Sequence, residues 1–382
     1  MNHETLSKLL VTGSFCLAVF MLLTLVGCGG SGGNAVASTS VTTTTTAELQ
    51  TLGAALYFDT NLSEPAGQSC ASCHLPAAGF VDPDHSHPTS KGAVAGRFGN
   101  RNAPTASYVA FIPGFRLSTA PNGTLNFVGG QFWDGRASTL EVQAQGPFLN
   151  VLEMNNASKA AVIDKLKHAS YANDFKAVFG ANALDNVDTA YAQIAQAIAA
   201  FERTSTFSPF TSKFDAVQKG QATFTAAEQN GFNLFNGKGQ CAACHHTPAG
   251  PEVFSDFVYH NVGVPANPNN PFLSLDTSLN PAGSAFIDLG LGGVLNAASE
   301  NGKFRTQSLR NIAVTGPYMH NGVLATLTDV VNFYNRRDTD HIVPEVNQNV
   351  DNGGRIGELG LSNTEIQDMI AFLGTLTDGY LH

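Results

Sequence analysis

Four cysteines dominate the chemistry available to this chain. They fall in two pairs, each followed at once by a histidine: Cys70-Ala71-Ser72-Cys73-His74 and Cys241-Ala242-Ala243-Cys244-His245. Cys-x-x-Cys-His suits covalent haem, because two sulfurs can form thioethers to the porphyrin vinyls while the adjacent imidazole reaches the iron. A redox dithiol or a zinc site competes with that reading. Zinc asks for four ligands, and neither pair has a second Cys or His pair at zinc-like spacing. Two covalent c-type haems are expected, with His74 and His245 as proximal iron ligands. The remaining cysteines, Cys16 and Cys28, lie near the N-terminus.

The elements that must position these groups form a coarse repeat. Before the first pair, Leu49, Leu52 and Leu56 share a helical face. Before the second pair, Thr225-x-x-Glu228 reads as a capping box leading into Phe232 and Phe235. The first unit closes with Tyr191, Ile194, Ile198 and Phe201 at helical spacing. The second closes with a capping box, Ser362-x-x-Glu365, and then Ile366, Met369, Ile370 and Leu373. Strand-like alternation is scarce. The expected fold is all-α: two cytochrome c-like domains with long loops, each holding one haem, over residues 47–205 and 206–382.

The 382 residues are 43% hydrophobic and only 13% charged, with 38 glycines, which fits a sizeable core carrying many loops. Net charge is −10 and no basic run exists, which argues against nucleic acid as a partner. At the N-terminus Lys8 precedes an uncharged apolar run from Leu9 to Val26. A membrane-spanning helix is one reading. The other follows from Leu25-Val26-Gly27-Cys28, which resembles a bacterial lipobox: residues 1–27 form a signal peptide and Cys28 is lipidated. Residues 28–46, rich in Gly, Ser and Thr, then form a tether. On that reading the protein is exported and touches the membrane through its lipid anchor alone.

The residues around the haem motifs carry a resemblance. Leu56-Tyr57-Phe58-Asp59-x-x-Leu62-Ser63, Gln131-Phe132-Trp133-Asp134-Gly135-Arg136, Gln143-x-x-Gly146-Pro147 with Glu153-Met154-Asn155, and Leu309-Arg310-Asn311 with Gly316-Pro317-Tyr318-Met319-His320-Asn321-Gly322 look like bacterial di-haem cytochrome c peroxidases and their MauG-like relatives. The match runs from about residue 48 to 380. It implies that His74 holds the iron that meets hydrogen peroxide. Glu153 matches the distal acid/base of that haem, with Gln143 beside it. A helix-end glutamate is the plain alternative for Glu153. Trp133 matches an electron relay between the haems, against simple core packing. Asn102, with the backbone oxygens of Thr315 and Pro317, matches a calcium site, and oxygen-only ligation suits that ion.

Two departures stand out. Resting peroxidases of the family place a distal histidine before the Arg-Asn-x-Pro motif. Here the segment reads Gly92-Ala93-Val94-Ala95-Gly96-Arg97-Phe98, and His85 and His87 lie upstream, either as loop residues or as rearranged ligands. The first haem is expected to be open to peroxide. Where peroxidases carry a ligand methionine to the second haem, this chain has Tyr334, as MauG-like enzymes do. The resemblance therefore implies a peroxidase fed by an external donor protein, a cytochrome c or a copper protein. The alternatives are a MauG-like oxidase of a partner protein's side chains, and an electron-transfer module without peroxide chemistry.

Overall fold

A computed structural model describes residues 45–120, 122–351 and 356–381, which belong to one compact unit. The expected signal peptide, Cys28 and nearly all of the expected tether lie outside the described residues. In chain order the α-helices are α1 Thr46–Phe58, α2 Cys70–Cys73, α3 Leu140–Leu149, α4 Lys159–Lys167, α5 Ala172–Phe179, α6 Val187–Glu202, α7 Lys213–Gln218, α8 Ala226–Asn236, α9 Leu291–Leu295, α10 Leu327–Arg336 and α11 Asn363–Gly374. None of the described helices is long and apolar enough to cross a membrane.

Local chemistry starts these helices where the sequence places them. Capping boxes open α1 (Thr45 with Glu48), α8 (Thr225 with Glu228) and α11 (Ser362 with Glu365), satisfying backbone N–H groups that lack a helical partner. Asn186 caps α6 by accepting from Thr189 N, and the helix then buries Ala190, Tyr191, Ile194 and Ile198.

Two helix pairs organise the molecule: α1 crosses α6, and α8 crosses α11. Each crossing rests on a glycine. A Cβ on Gly53 would lie 1.9 Å from the Ala197 carbonyl oxygen, and one on Gly231 would lie 1.9 Å from that of Asp368. Only a residue without a side chain lets the backbones approach so closely. One apolar core gathers Leu52, Leu56, Phe148, Ile163, Ile194 and Phe207; the other gathers Phe214, Phe235, Val331, Met369, Phe372 and Leu376. A smaller cluster of Tyr108, Val128, Val253 and Phe257 draws on both stretches of chain. The Tyr108 hydroxyl donates to Asp378 at 2.9 Å, tying the first half to the C-terminal segment.

The fold is mostly helical, as expected, with two short antiparallel strand pairs added. Strands β1 Arg116–Thr119 and β2 Leu125–Val128 form an antiparallel hairpin, and β3 Tyr259–His260 pairs with β4 Phe304–Arg305. In the hairpin, Leu117 and Phe127 face each other, as do Thr119 and Leu125, around a turn with Gly123 at φ 85°. Such runs of two to four residues carry too little alternation to be read from sequence.

Candidate active site

Two cavities open beside the two Cys-x-x-Cys-His segments. The first, about 1280 Å³ of empty space including its mouth, is lined by Cys70, Cys73 and His74. The second, about 1810 Å³, is lined by Cys241, Cys244 and His245.

The histidines are held by one device used twice. His74 Nδ1 lies 3.2 Å from the Phe80 carbonyl oxygen, and His245 Nδ1 lies 3.0 Å from that of Phe254. Both phenylalanines are in the left-handed region, at φ 62° and 58°, which turns their carbonyls towards the rings. A carbonyl can only accept, so Nδ1 carries the proton and Nε2 keeps its lone pair for a metal. Burial also pushes both imidazole pKa values down, favouring the neutral ligand form. Burial raises the Cys73 and Cys241 thiols to about 12. Neutral, buried sulfurs are the opposite of what a reactive dithiol needs.

Acid groups and amides face His74's cavity. Glu153, in the turn after α3, and Gln143, on α3, both line it. Asn150 Nδ2 donates to Glu153 Oε1 at 2.9 Å. Desolvation raises the Glu153 pKa, against the opposing pull of Arg136 and Asn150. Arg136 is itself fixed by Asp134 at 2.9 Å and by stacking 3.6 Å over the Phe132 ring. Among the described residues, His74 is the only histidine lining this cavity; His85 and His87 are not part of its wall. His87 packs instead against Phe98, with ring centroids 4.9 Å apart.

His245's cavity presents a different set. Tyr334, on α10, lines it, and its hydroxyl makes no hydrogen bond among the described residues. Burial pushes its pKa well up. Met319 and Met369 also line the cavity, but the Met369 sulfur lies 3.6 Å from Cys241 Sγ. Two further histidines are present, each with Nε2 at 3.5 Å from an acid: His260 beside Asp256, and His320 beside Glu345. Cys244, Asp256 and His260 have ligand atoms within 4.8 Å of one another; a thioether at Cys244 would remove this group as a metal-thiolate site.

Six residues line both cavities: Asn102 to Thr105, Trp133 and Arg305. Trp133 is held in this common wall by its indole N–H, which donates to the Asn102 carbonyl at 2.8 Å. Its own carbonyl accepts from the backbone N–H of Arg305, also at 2.8 Å. Arg101 braces the wall through Asp134 at 2.6 Å and Asp288 at 2.5 Å. Arg305 is 3% exposed; among the described residues its guanidinium bonds only to the Phe132 and Thr306 carbonyls and the Gln307 amide, and Nε has no partner. A buried guanidinium with no carboxylate beside it calls for an anion from elsewhere.

Two of the expected calcium residues meet: Asn102 Nδ2 donates to the Pro317 carbonyl at 2.5 Å. Thr315 is buried and lines the same cavity. Turning that amide over would set its oxygen against the Pro317 carbonyl in place of a hydrogen bond.

Sequence reading missed Arg305, the Phe80 and Phe254 carbonyls, and Glu202, a buried acid in the first cavity wall. Glu202 had a signal: it stands four and eight residues after Ile198 and Ile194, on the apolar face of α6. Arg305 sits in a two-residue strand and had none.

A chain with two such cavities, each beside a Cys-x-x-Cys-His segment, is built like a di-haem protein of the c type. Comparison identifies the family. Residues 47–223 match the model of the di-haem cytochrome c peroxidase family. The chain is 38% identical over 356 residues to the methylamine utilization protein MauG of Paracoccus denitrificans, covering 86% of this chain and 88% of that one. It is 32% identical to a cytochrome-c peroxidase of Denitromonas iodatirespirans, over 87% and 82% of the two chains. In structure it resembles the diheme peroxidase BthA of Burkholderia thailandensis, with TM-score 0.75 and 31% identity over 86% of each chain. A MauG-like protein associated with microbial copper homeostasis matches with TM-score 0.64 at 29% identity, over 87% of this chain and 89% of that one. The protein belongs to the di-haem cytochrome c peroxidase and MauG family, and is an oxidoreductase of the peroxidase type.

Proposed function

We propose that the protein reduces hydrogen peroxide in the cavity beside His74, with electrons arriving from an external donor protein through the cavity beside His245. The observation that carries this is the pairing of Glu153 and Gln143 in the cavity of His74, where the other cavity offers a phenol instead.

The residues present fit two covalent haems. Cys70 and Cys73, and Cys241 and Cys244, would form the thioethers, His74 and His245 would ligate the irons, and the unpaired Arg305 would meet haem carboxylates where the cavities adjoin. Haem iron at His74 would supply the Lewis-acid and redox chemistry for O–O cleavage. The protein's share is proton movement. Glu153 takes a proton from one peroxide oxygen and returns it to the other, which leaves as water; the Gln143 amide orients the substrate. The raised pKa of Glu153 brings its basicity closer to neutral pH, where the proton can travel both ways. Trp133 carries electrons between the cavities on this reading, supported by its lining both of them.

Tyr334 is proposed as the second ligand of the His245 iron, its free hydroxyl and position on the cavity wall supporting the role. The relative BthA has itself been solved as a tyrosine-to-methionine variant. This tyrosine, together with the 38% identity to MauG, favours a second reading in which the oxidising equivalents act on a side chain of a partner protein. Peroxide turnover with a small donor, compared with and without candidate partner proteins, tests the two readings. An absence of peroxide-dependent oxidation of either would leave only electron transfer.

The reading also takes residues 47–205 and 206–382 as the two haem domains, a calcium ion at Asn102, Thr315 and Pro317, and an exported chain anchored through lipid on Cys28. Chelation followed by metal analysis tests the ion, and radiolabelled fatty-acid incorporation tests the anchor.

A further inference from the structure

Reducing one peroxide to two waters consumes two electrons and two protons. Glu153 can pass a proton from one peroxide oxygen to the other, but it brings none in from solvent. The cavity therefore needs a second group that loads protons from outside as electrons arrive.

We infer that Glu202 is that group: a proton-loading acid at the end of α6, between the surface Arg203–Glu141 pair and the first cavity. This rests on the proposed function. Glu202 is 7% exposed and lines the cavity, and its Oε2 has no hydrogen-bond partner. A buried polar atom left unpaired is costly, and a retained one calls for a use. Its environment keeps it protonated at neutral pH. Desolvation is the main cause, opposed by Arg203 and reinforced by Glu141, and the carboxyl is pushed up to about 8. The C-terminal end of a helix disfavours an anion in the same direction.

The charged and titratable groups facing it are few. Tyr57 on α1 couples to it electrostatically, as does Cys70 on α2, whose sulfur no longer titrates once it is a thioether. Glu141 on α3 and Arg203 beyond α6 are paired with each other at 2.6 Å, half exposed to solvent. Glu153 and Arg136 line the same cavity as Glu202. The path from water runs past Glu141 and Arg203 to Glu202. Gln143, on α3, lines the same cavity.

The cycle balances. Each electron delivered to the first cavity adds a negative charge beside Glu202 and raises its proton affinity. The proton it then gives up goes to an oxygen of the cleaved peroxide, and Glu202 reloads from solvent. Because adding an electron favours the protonated acid, the midpoint potential of the first haem should be flat below the acid's pKa and fall as pH rises through it.

The test uses the full holoprotein. Potentiometric titration of the two haems from pH 6 to 10 should show a pH-dependent potential near pH 8 for the first haem only, and Glu202→Gln should flatten it. Redox-difference infrared spectra should contain the carbonyl stretch of a protonated carboxyl that Glu202→Gln removes. Two surface variants leave Glu202 in place: Arg203→Gln should move the break to higher pH and Glu141→Gln to lower pH. A slope unchanged in Glu202→Gln, or a break that Arg203→Gln and Glu141→Gln shift in the same direction, overturns the inference. Failure of the proposed function itself shows elsewhere, as undiminished O–O cleavage in Glu153→Gln.

Discussion

The two cavities are built alike and furnished differently. Each has a crossed helix pair pinned at a glycine, a Cys-x-x-Cys-His segment, and a left-handed phenylalanine whose carbonyl fixes the histidine tautomer. These are the parts proposed to attach haem. The rest of the lining differs: Glu153 and Gln143 in one cavity, Tyr334 in the other. The proposed attachment parts therefore repeat, while the residues proposed for chemistry do not and sit on segments outside the repeat.

The largest expected effect breaks the contrast at its acid. Glu153→Gln keeps the volume and removes the proton shuttle, so single-turnover peroxide cleavage by stopped flow should fall about 10²–10⁴-fold. In the wild type the base form is needed to start. Because the Glu153 pKa lies above the ordinary glutamate value, cleavage should fall as the pH drops through that raised pKa, and Glu153→Gln should lack that limb. An unaltered cleavage rate would move the proton shuttle elsewhere.

The next effect concerns what the halves share. Gly53→Ala and Gly231→Ala each force a Cβ against a backbone oxygen, and each should destabilise the fold by about 1–3 kcal/mol, read by thermal unfolding. Similar losses at both crossings would confirm the equivalence. A loss at one alone would mean that the other crossing can relax.

Much of this was legible before the structure. The helix starts announced themselves as capping boxes, and each Cys-x-x-Cys-His segment lies beside a cavity. Glu153, Gln143, Trp133 and Tyr334 came from resemblance in residue order, and all four line the cavities where that order placed them. The hidden parts are those whose meaning depends on distant neighbours. Arg305 matters because it borders two cavities at once, and Phe80 matters through its carbonyl rather than its ring. No local pattern encodes either. Glu202 broke a helical apolar face and could have been noticed.

A smaller effect sharpens the contrast on the other side. If Tyr334 ligates the iron as proposed, Tyr334→Met replaces an oxygen donor by a thioether, which favours the reduced iron. Spectroelectrochemistry should show the potential of one haem rising and that of the other nearly unmoved. Equal shifts at both would mean that Tyr334 acts through the common wall.

The smallest effect concerns the donor. With a net charge of −10, the protein should attract a basic donor at long range, and turnover below saturation should decline as salt rises towards about 0.15 M, where the Debye length is about 8 Å. A flat response would point to apolar docking.

The proposed division of labour leaves the iron at His74 open and puts Tyr334 on the iron at His245. Electron paramagnetic resonance of the fully ferric protein, before and after cyanide, separates the two states. One high-spin iron that cyanide converts and one low-spin iron with histidine–tyrosinate character that cyanide leaves alone are expected. Two low-spin irons of histidine–histidine or histidine–methionine type, neither responding to cyanide, would overturn the proposal.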